Sequence, residues 1–162
     1  MKTYIGIDNG VSGAMAVITP DFTFVQPLVS NQEHGGKVVC AVRLYDEFVQ
    51  LAGRYELTVV AEAAQKFTPG RLAFASVWFS WGAIVAAARL ARVRFTAVDP
   101  RRWQKEMFKG LPKSLDTKQA SVQKARELFP TVSLRTTERC STDNHNFADA
   151  LLLAEWGRRN NL

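Results

Sequence analysis

Hydrophobic positions at the start of the chain fall into three short, closely spaced blocks. Tyr4, Ile5 and Ile7 make the first, Ala14 to Ile18 the second and Phe22 to Gln26 the third, with Gly10 and Gly13 between the first two. Aromatic and β-branched residues broken by glycine predict consecutive strands joined by tight reversals. From Val38 to Arg54 the spacing becomes that of an amphipathic helix, ending at Gly53. "LTVVAE", Leu57 to Glu62, reads as a buried strand, Leu72 to Ala91 as a helix apolar on all sides, and Arg94 to Val98 as another strand. Pro100 opens a short helix in "DPRRWQKEMF", a position where a missing N–H costs nothing. "DTKQASVQKARELF" is a helix stopped by Pro130, and "NFADALLLAEWGRR" is a last one.

The order βββαβαβααα predicts an α/β fold in a single domain spanning residues 1–162. Three consecutive strands followed by alternation give a mixed five-stranded sheet, three antiparallel strands and then parallel ones, flanked by helices. No internal repeat, low-complexity tract or linker interrupts it. The stretch Thr131 to His145 is a long polar loop, a kind that often carries function.

Charge changes this picture. The formal charge is +6, and the stretch Arg89 to Arg126 holds eleven Lys or Arg against Asp99, Glu106 and Asp116, so one region carries more than the whole excess. A concentrated basic stretch predicts a polyanionic partner, nucleic acid first among them, against the plainer reading of a solvated basic face. Its Arg101, Arg102, Lys105, Lys109, Lys113 and Lys124 are the candidate phosphate contacts. Cys40 and Cys140 are too few and too far apart for a metal knuckle or a disulfide scaffold, which fits a reducing compartment. "MKTYIGID" lacks the apolar core and cleavage site of a secretory signal, so no export is expected. The uncharged run from Leu72 to Ala88 approaches the length of a membrane span, but its Ser76, Ser80 and Gly82 and its place between two strands favour a core or subunit interface, with no membrane expected.

Three acids stand where strands and helices end. Asp8 closes "YIGID" and Glu62 closes "LTVVAE"; on neighbouring strands their carboxylates converge at one sheet edge. Asp149 lies near the start of an otherwise apolar helix, with His145 four residues before it and on the same face if the helix begins early enough. Each has a plainer role open to it: Asp8 as an Asx-type turn former, Asp149 as a partner of the helix dipole, His145 as a surface residue. Together, three carboxylates and a histidine suit a divalent cation, and two such ions can clamp a phosphoryl displacement.

"GIDNGVSGA", "VVAEAAQ", "VDPRRWQKEMF", "KQASVQKARELFP" and "FADALLLAEWGRR" resemble, in this order and spacing, the RuvC-like Holliday junction resolvases, most nearly the phage and chloroplast branch. The resemblance runs from about Tyr4 to Arg159 and implies an RNase H-like fold, a homodimer, and Mg²⁺- or Mn²⁺-dependent nicking of two opposed strands of a four-way DNA junction, with two ions per site and 5′-phosphate and 3′-hydroxyl ends. It makes Asp8, Glu62 and Asp149 the metal-binding acids. The fourth group is His145 by a spacing of four, Asn146 by the bacterial spacing of three, or Asp143 if the loop folds inward. Lys118 matches a basic position near the scissile phosphate, and Phe67 could stack on unpaired bases; a solvated lysine and a core aromatic are the plain alternatives. The cytoplasm of a bacterial or phage-infected cell is the expected location, or a plastid for a processed organellar form. Two rivals stay open: a ribonuclease H-type or RNA-processing nuclease, and an idle junction-binding protein. A sugar-kinase or actin-like ATPase also opens on a motif like "GIDNGVSGA", but those architectures need two such domains and a second phosphate loop, for which this sequence offers neither the length nor the motif.

Overall fold

The structure is a computed structural model and describes residues 1–10, 12–33, 36–64 and 71–162. Strands β1 (Lys2–Asp8), β2 (Ala14–Ile18) and β3 (Thr23–Pro27) form an antiparallel meander, and β4 (Ser30–Glu33) with β5 (Gly36–Val39) makes a separate hairpin. Helix α1 (Ala41–Ala52), strand β6 (Glu56–Glu62), helix α2 (Arg71–Leu90), strand β7 (Arg94–Val98) and helices α3 (Pro100–Met107), α4 (Thr117–Leu128) and α5 (His145–Arg159) follow. The main sheet has the order β3-β2-β1-β6-β7, with β1, β6 and β7 parallel. This is the mixed five-stranded sheet, three antiparallel strands and then parallel ones, that the sequence predicts.

The sheet separates two cores. Ile5, Ile7, Met15, Val17 and Val59 face α1 and α2, meeting Phe48, Ile84 and Ala88. On the other face Ala14, Ala16, Val60 and Val98 meet Trp103 of α3, Ala125 of α4 and the buried length of α5. Alternation along β1 sends Gly6 to the second core, and a Cβ there would lie 2.0 Å from the Ala150 carbonyl oxygen and 2.4 Å from the Ala154 nitrogen. Gly6 therefore lets the backbones of α5 and β1 touch, and every residue of α5 from Phe147 to Gly157 except Asp149 is buried.

The β4–β5 hairpin is not in the sequence reading, which starts a helix at Val38. Val38 and Val39 instead pair with Asn31 and Ser30, and the helix begins at Ala41 behind Cys40. Two adjacent valines satisfy both a helical and a strand pattern, and tertiary contact decides between them. The hairpin rests on α2, where the Val39 amide donates to the buried Ser80 hydroxyl at 3.2 Å. That bond explains a serine inside the apolar run. Residues Ala73–Leu90 are long and apolar enough to cross a membrane, yet Ser80, Ile84, Ala87 and Ala88 pack beneath the sheet and hairpin. Phe74 and Trp78, 6.0 Å apart, remain exposed on the opposite side. Trp81, by contrast, packs on Phe95.

Candidate active site

The register of the parallel strands places the first two acids. Ile7 of β1 lies opposite Ala61 of β6, so the next residues, Asp8 and Glu62, end adjacent strands at the same height. The turn after Asp8 is closed by the main chain, with the Gly13 amide donating to the Gly10 carbonyl at 2.8 Å. A Cβ on Gly13 would come within 2.2 Å of the Asp8 carbonyl oxygen, so glycine there keeps the turn tight against the strand end. Helix α5 starts at His145, capped by Asn144, and carries Asp149 to this edge. Its first turn is tied to the β1–β2 turn by the Asn146 amide, which donates to the Ser12 carbonyl at 2.7 Å.

The three carboxylates feel one another. Burial first, then the charges of Asp149 and Glu62, push the Asp8 carboxyl well above the usual carboxylate range. Burial also pushes Asp149 up, to about 7, with Glu62 adding to the rise while the Ser121 hydroxyl and Lys118 oppose it. Glu62 is raised by burial and by Asp99, and lowered by the Trp103 indole, which donates to its Oε2 at 2.9 Å. Burial and mutual repulsion of like charges are the two physical causes of these raised values.

A second layer holds these groups. Helix α4 offers Lys118 and Ser121, one turn apart, to Asp149. Lys118 also faces His145, whose pKa is lowered by burial and then by that lysine. Asp143 turns away to an ion pair with Arg126 at 2.6 Å, so its acid is occupied outside the carboxylate cluster. The Asn146 amide nitrogen is likewise engaged with Ser12. Trp103 and Ser121 are not among the residues read from the sequence. Their signals are slight: an aromatic at the fourth position of a Pro-started helix, and a serine in the small-residue stripe Ala120, Ser121, Ala125 of α4.

Several of the basic residues lie on α3 and the segment after it. α3 begins one residue after β7, whose Val98 is paired with Glu62, and it turns Trp103 inward while Arg101, Arg102 and Lys105 are exposed. Arg102 also stacks over the Trp156 ring at 5.5 Å. Lys109, Lys113 and Lys118 are exposed as well, whereas Lys124 is mostly covered and paired with Glu127 at 2.7 Å. Phe67 lies outside the described residues.

Comparison with solved structures finds the same architecture. Thermus thermophilus RuvC in complex with a Holliday junction substrate superposes with a TM-score of 0.58 at 18% identity, covering 99% of this chain and 96% of that one. The fold is that of RuvC. A second Thermus thermophilus RuvC structure gives a TM-score of 0.57 at 20% identity, covering 98% of this chain and 96% of the other. No protein-family model and no curated protein matches the chain. On the RuvC fold the carboxylate edge lies at the C-terminal ends of the parallel strands, where open α/β sheets place ligands.

Among the described residues, no three His, Cys, Asp or Glu side chains are drawn together closely enough to hold a metal ion as they stand. The donor set nevertheless fits a hard divalent cation: all three acids offer oxygen, and Asp149 Oδ1 is buried with no hydrogen-bond partner. A buried, unpaired carboxylate oxygen beside two other acids is a costly arrangement that a cation relieves.

Proposed function

We propose that the chain is a divalent-metal-dependent endonuclease that resolves four-way DNA junctions by paired symmetric nicks, leaving 5′-phosphate and 3′-hydroxyl ends. The observation that carries this reading is the convergence of Asp8, Glu62 and Asp149, from two strands and a helix, on one edge of a RuvC fold. Asp8, Glu62 and Asp149, with His145 as fourth group, are the residues to hold Mg²⁺ or Mn²⁺, two ions per site, which when bound supply an activated water and charge neutralisation at the phosphate. Trp103 and Ser121 fix two of the carboxylates by donating hydrogen bonds, and so set the angle at which they meet the phosphate. Lys118 places a positive charge beside Asp149 and His145, where it draws the phosphodiester into the edge and opposes the charge that builds on its oxygens. Arg101, Arg102, Lys105, Lys109 and Lys113 anchor the flanking backbone without reading sequence.

Two opposed nicks need two sites, which is the ground for a homodimer. The exposed Phe74 and Trp78 of α2 form the face assigned to the second copy, in an isologous contact. A second reading, an idle junction-binding protein, rests on Asn146, which stands at the bacterial spacing of three where some members of the resembled family have an acid. Both are tested by incubating the protein and Mg²⁺ or Mn²⁺ with a four-way junction, a linear duplex and an RNA–DNA hybrid. Paired nicks in the junction alone support the resolvase. Equal cutting of the duplex, or cutting of the hybrid alone, contradicts it, and tight junction binding with no cutting supports the idle form.

A further inference from the structure

The end of the sheet opposite the acids gathers positive charge. Lys2 opens β1 in register with Glu56 of β6, and Arg94 opens β7 opposite Thr58. Arg54 lies in the α1–β6 turn, just before the Glu56 amide that donates to the Met1 carbonyl at 3.1 Å. Arg89 and Arg92 flank the end of α2. Helix α5 brings Arg158 and Arg159 to the same end, where the Thr58 hydroxyl donates to the Leu162 carbonyl at 3.3 Å. All of these cations are exposed, and all but one are arginine, whose planar fork matches phosphate. Along β1, Lys2 and Asp8 stand about 20 Å apart at the ordinary rise of a strand. The basic stretch that begins at Arg89 is therefore split by the fold, because Arg89, Arg92 and Arg94 lie at the far end from the acids.

Little at this end cancels the charge. Glu56 pairs with Arg94, while Glu155 is shared between Arg158 at 2.7 Å and Arg159 at 2.8 Å. Asp21 accepts from the Tyr55 hydroxyl at 3.5 Å. Lys2, Arg54, Arg89 and Arg92 form no ion pair with the described residues. Arg92 carries a second sign. Its φ is 55°, and the Val93 amide beyond it donates to the Ala88 carbonyl at 3.2 Å, which makes Arg92 the left-handed residue of a helix end where glycine is usual. The chain keeps a cation there although glycine would adopt that backbone freely.

The cations stand on both helical layers, α1 and α2 on one face of the sheet and α5 on the other, so the surface is broad rather than linear. A duplex offers two rows of phosphates separated by grooves about 6 and 12 Å wide, which suits cations on either side of a sheet end better than one extended acidic segment does. We propose that this end binds the backbone of a second DNA duplex, so that a molecule engaged with a junction at its acids holds another DNA at the opposite end. Contact with phosphates alone carries no sequence preference. For the first DNA, the inference rests on the junction-nuclease reading above.

The test loads the protein onto a tethered four-way junction without Mg²⁺, so that nothing is cut, and then adds a labelled linear duplex. Wild type is expected to retain the duplex, with an affinity that falls steeply as salt rises. A Lys2→Ala, Arg54→Ala, Arg92→Gly triple variant is expected to load equally and to retain the duplex about tenfold less tightly, its salt slope flatter by about one for each charge removed. Arg92→Gly alone eases the helix end, so its weaker retention cannot be laid to a lost fold. Loaded wild type that retains no duplex overturns the inference. So does a folded triple variant with an unchanged slope, the result expected if a second catalytic edge holds the duplex; both outcomes leave the nuclease reading intact. Phosphatidylserine vesicles replace the duplex in a parallel arm, because Leu90 is 71% exposed beside Arg89; retention of vesicles but not of duplex also overturns it. A wild type that fails to load counts against the junction reading, and the salt slopes of wild type and variant on the linear duplex alone then decide this surface.

Discussion

Asp149 carries the clearest electrostatic consequence at the scale of single residues. Its carboxyl rises from an ordinary value of 3.8 to about 7 in the fold, so below about pH 4 it is protonated in both states and costs nothing. Between about 4 and 7 the unfolded chain releases this proton while the folded chain keeps it, and stability of the ion-free protein falls as pH rises. Above about 7 the penalty is full, on the order of a few kcal/mol. Asp149→Asn is therefore expected to melt at a higher temperature than the wild type at pH 8 without metal, and to show a flatter pH profile by calorimetry. Mg²⁺ is expected to raise the wild-type melting temperature more at pH 8 than at pH 5, and to leave Asp149→Asn nearly unmoved. Trp103→Phe keeps the ring but removes the donor to Glu62, and should cost about 10- to 100-fold in activity or metal affinity. His145→Ala is expected to reduce nicking more than Asn146→Ala, because the Asn146 amide serves as a tie to Ser12 whose loss costs about 1 kcal/mol of stability. The acids were legible in the sequence because Asp8 and Glu62 end recognisable strands and Asp149 interrupts the start of an apolar helix. Trp103 and Ser121 were not, since their roles depend on which elements pack together.

At the scale of elements, the decisive contact is α5 against β1. Gly6→Ala puts a methyl group 2.0 Å from the Ala150 carbonyl, so the helix must shift away and take the neighbouring Asp149 with it. The variant is expected to lose about 1–3 kcal/mol in denaturant unfolding, and to lose nicking out of proportion to that cost. The five sheet strands and all five helices were readable from local pattern, because turns, proline starts and glycine stops mark their ends. The β4–β5 hairpin was hidden: Ser30 to Glu33 is polar and short, and Val38 and Val39 fit a helix start as well as a strand. Its stabilising contacts, from the Val39 amide to Ser80 and from Gly36 to the side of α2 near Ser76, join segments some forty residues apart.

At the scale of the whole molecule, paired nicking of one junction requires two sites facing it, and the proposed dimer brings them together through α2. Trp78→Lys is expected to shift the protein from dimer to monomer in sedimentation, with the fold retained because this side chain is 39% exposed. A monomeric wild type at micromolar concentration with junction present contradicts that assignment. Junction affinity should fall steeply with salt through counterion release, and removing the charges of Arg101, Lys105 and Lys109 should flatten the slope by about one contact each. The central claim is that the acids at the sheet edge do chemistry on DNA that other residues hold, and Asp8→Asn tests it most directly, because the amide keeps the shape of the side chain while losing its charge. In a single experiment, binding and nicking of the same four-way junction are measured for wild type and variant in Mg²⁺. Unchanged affinity with nicking reduced to background is the expected result. Nicking retained by a folded Asp8→Asn protein contradicts it.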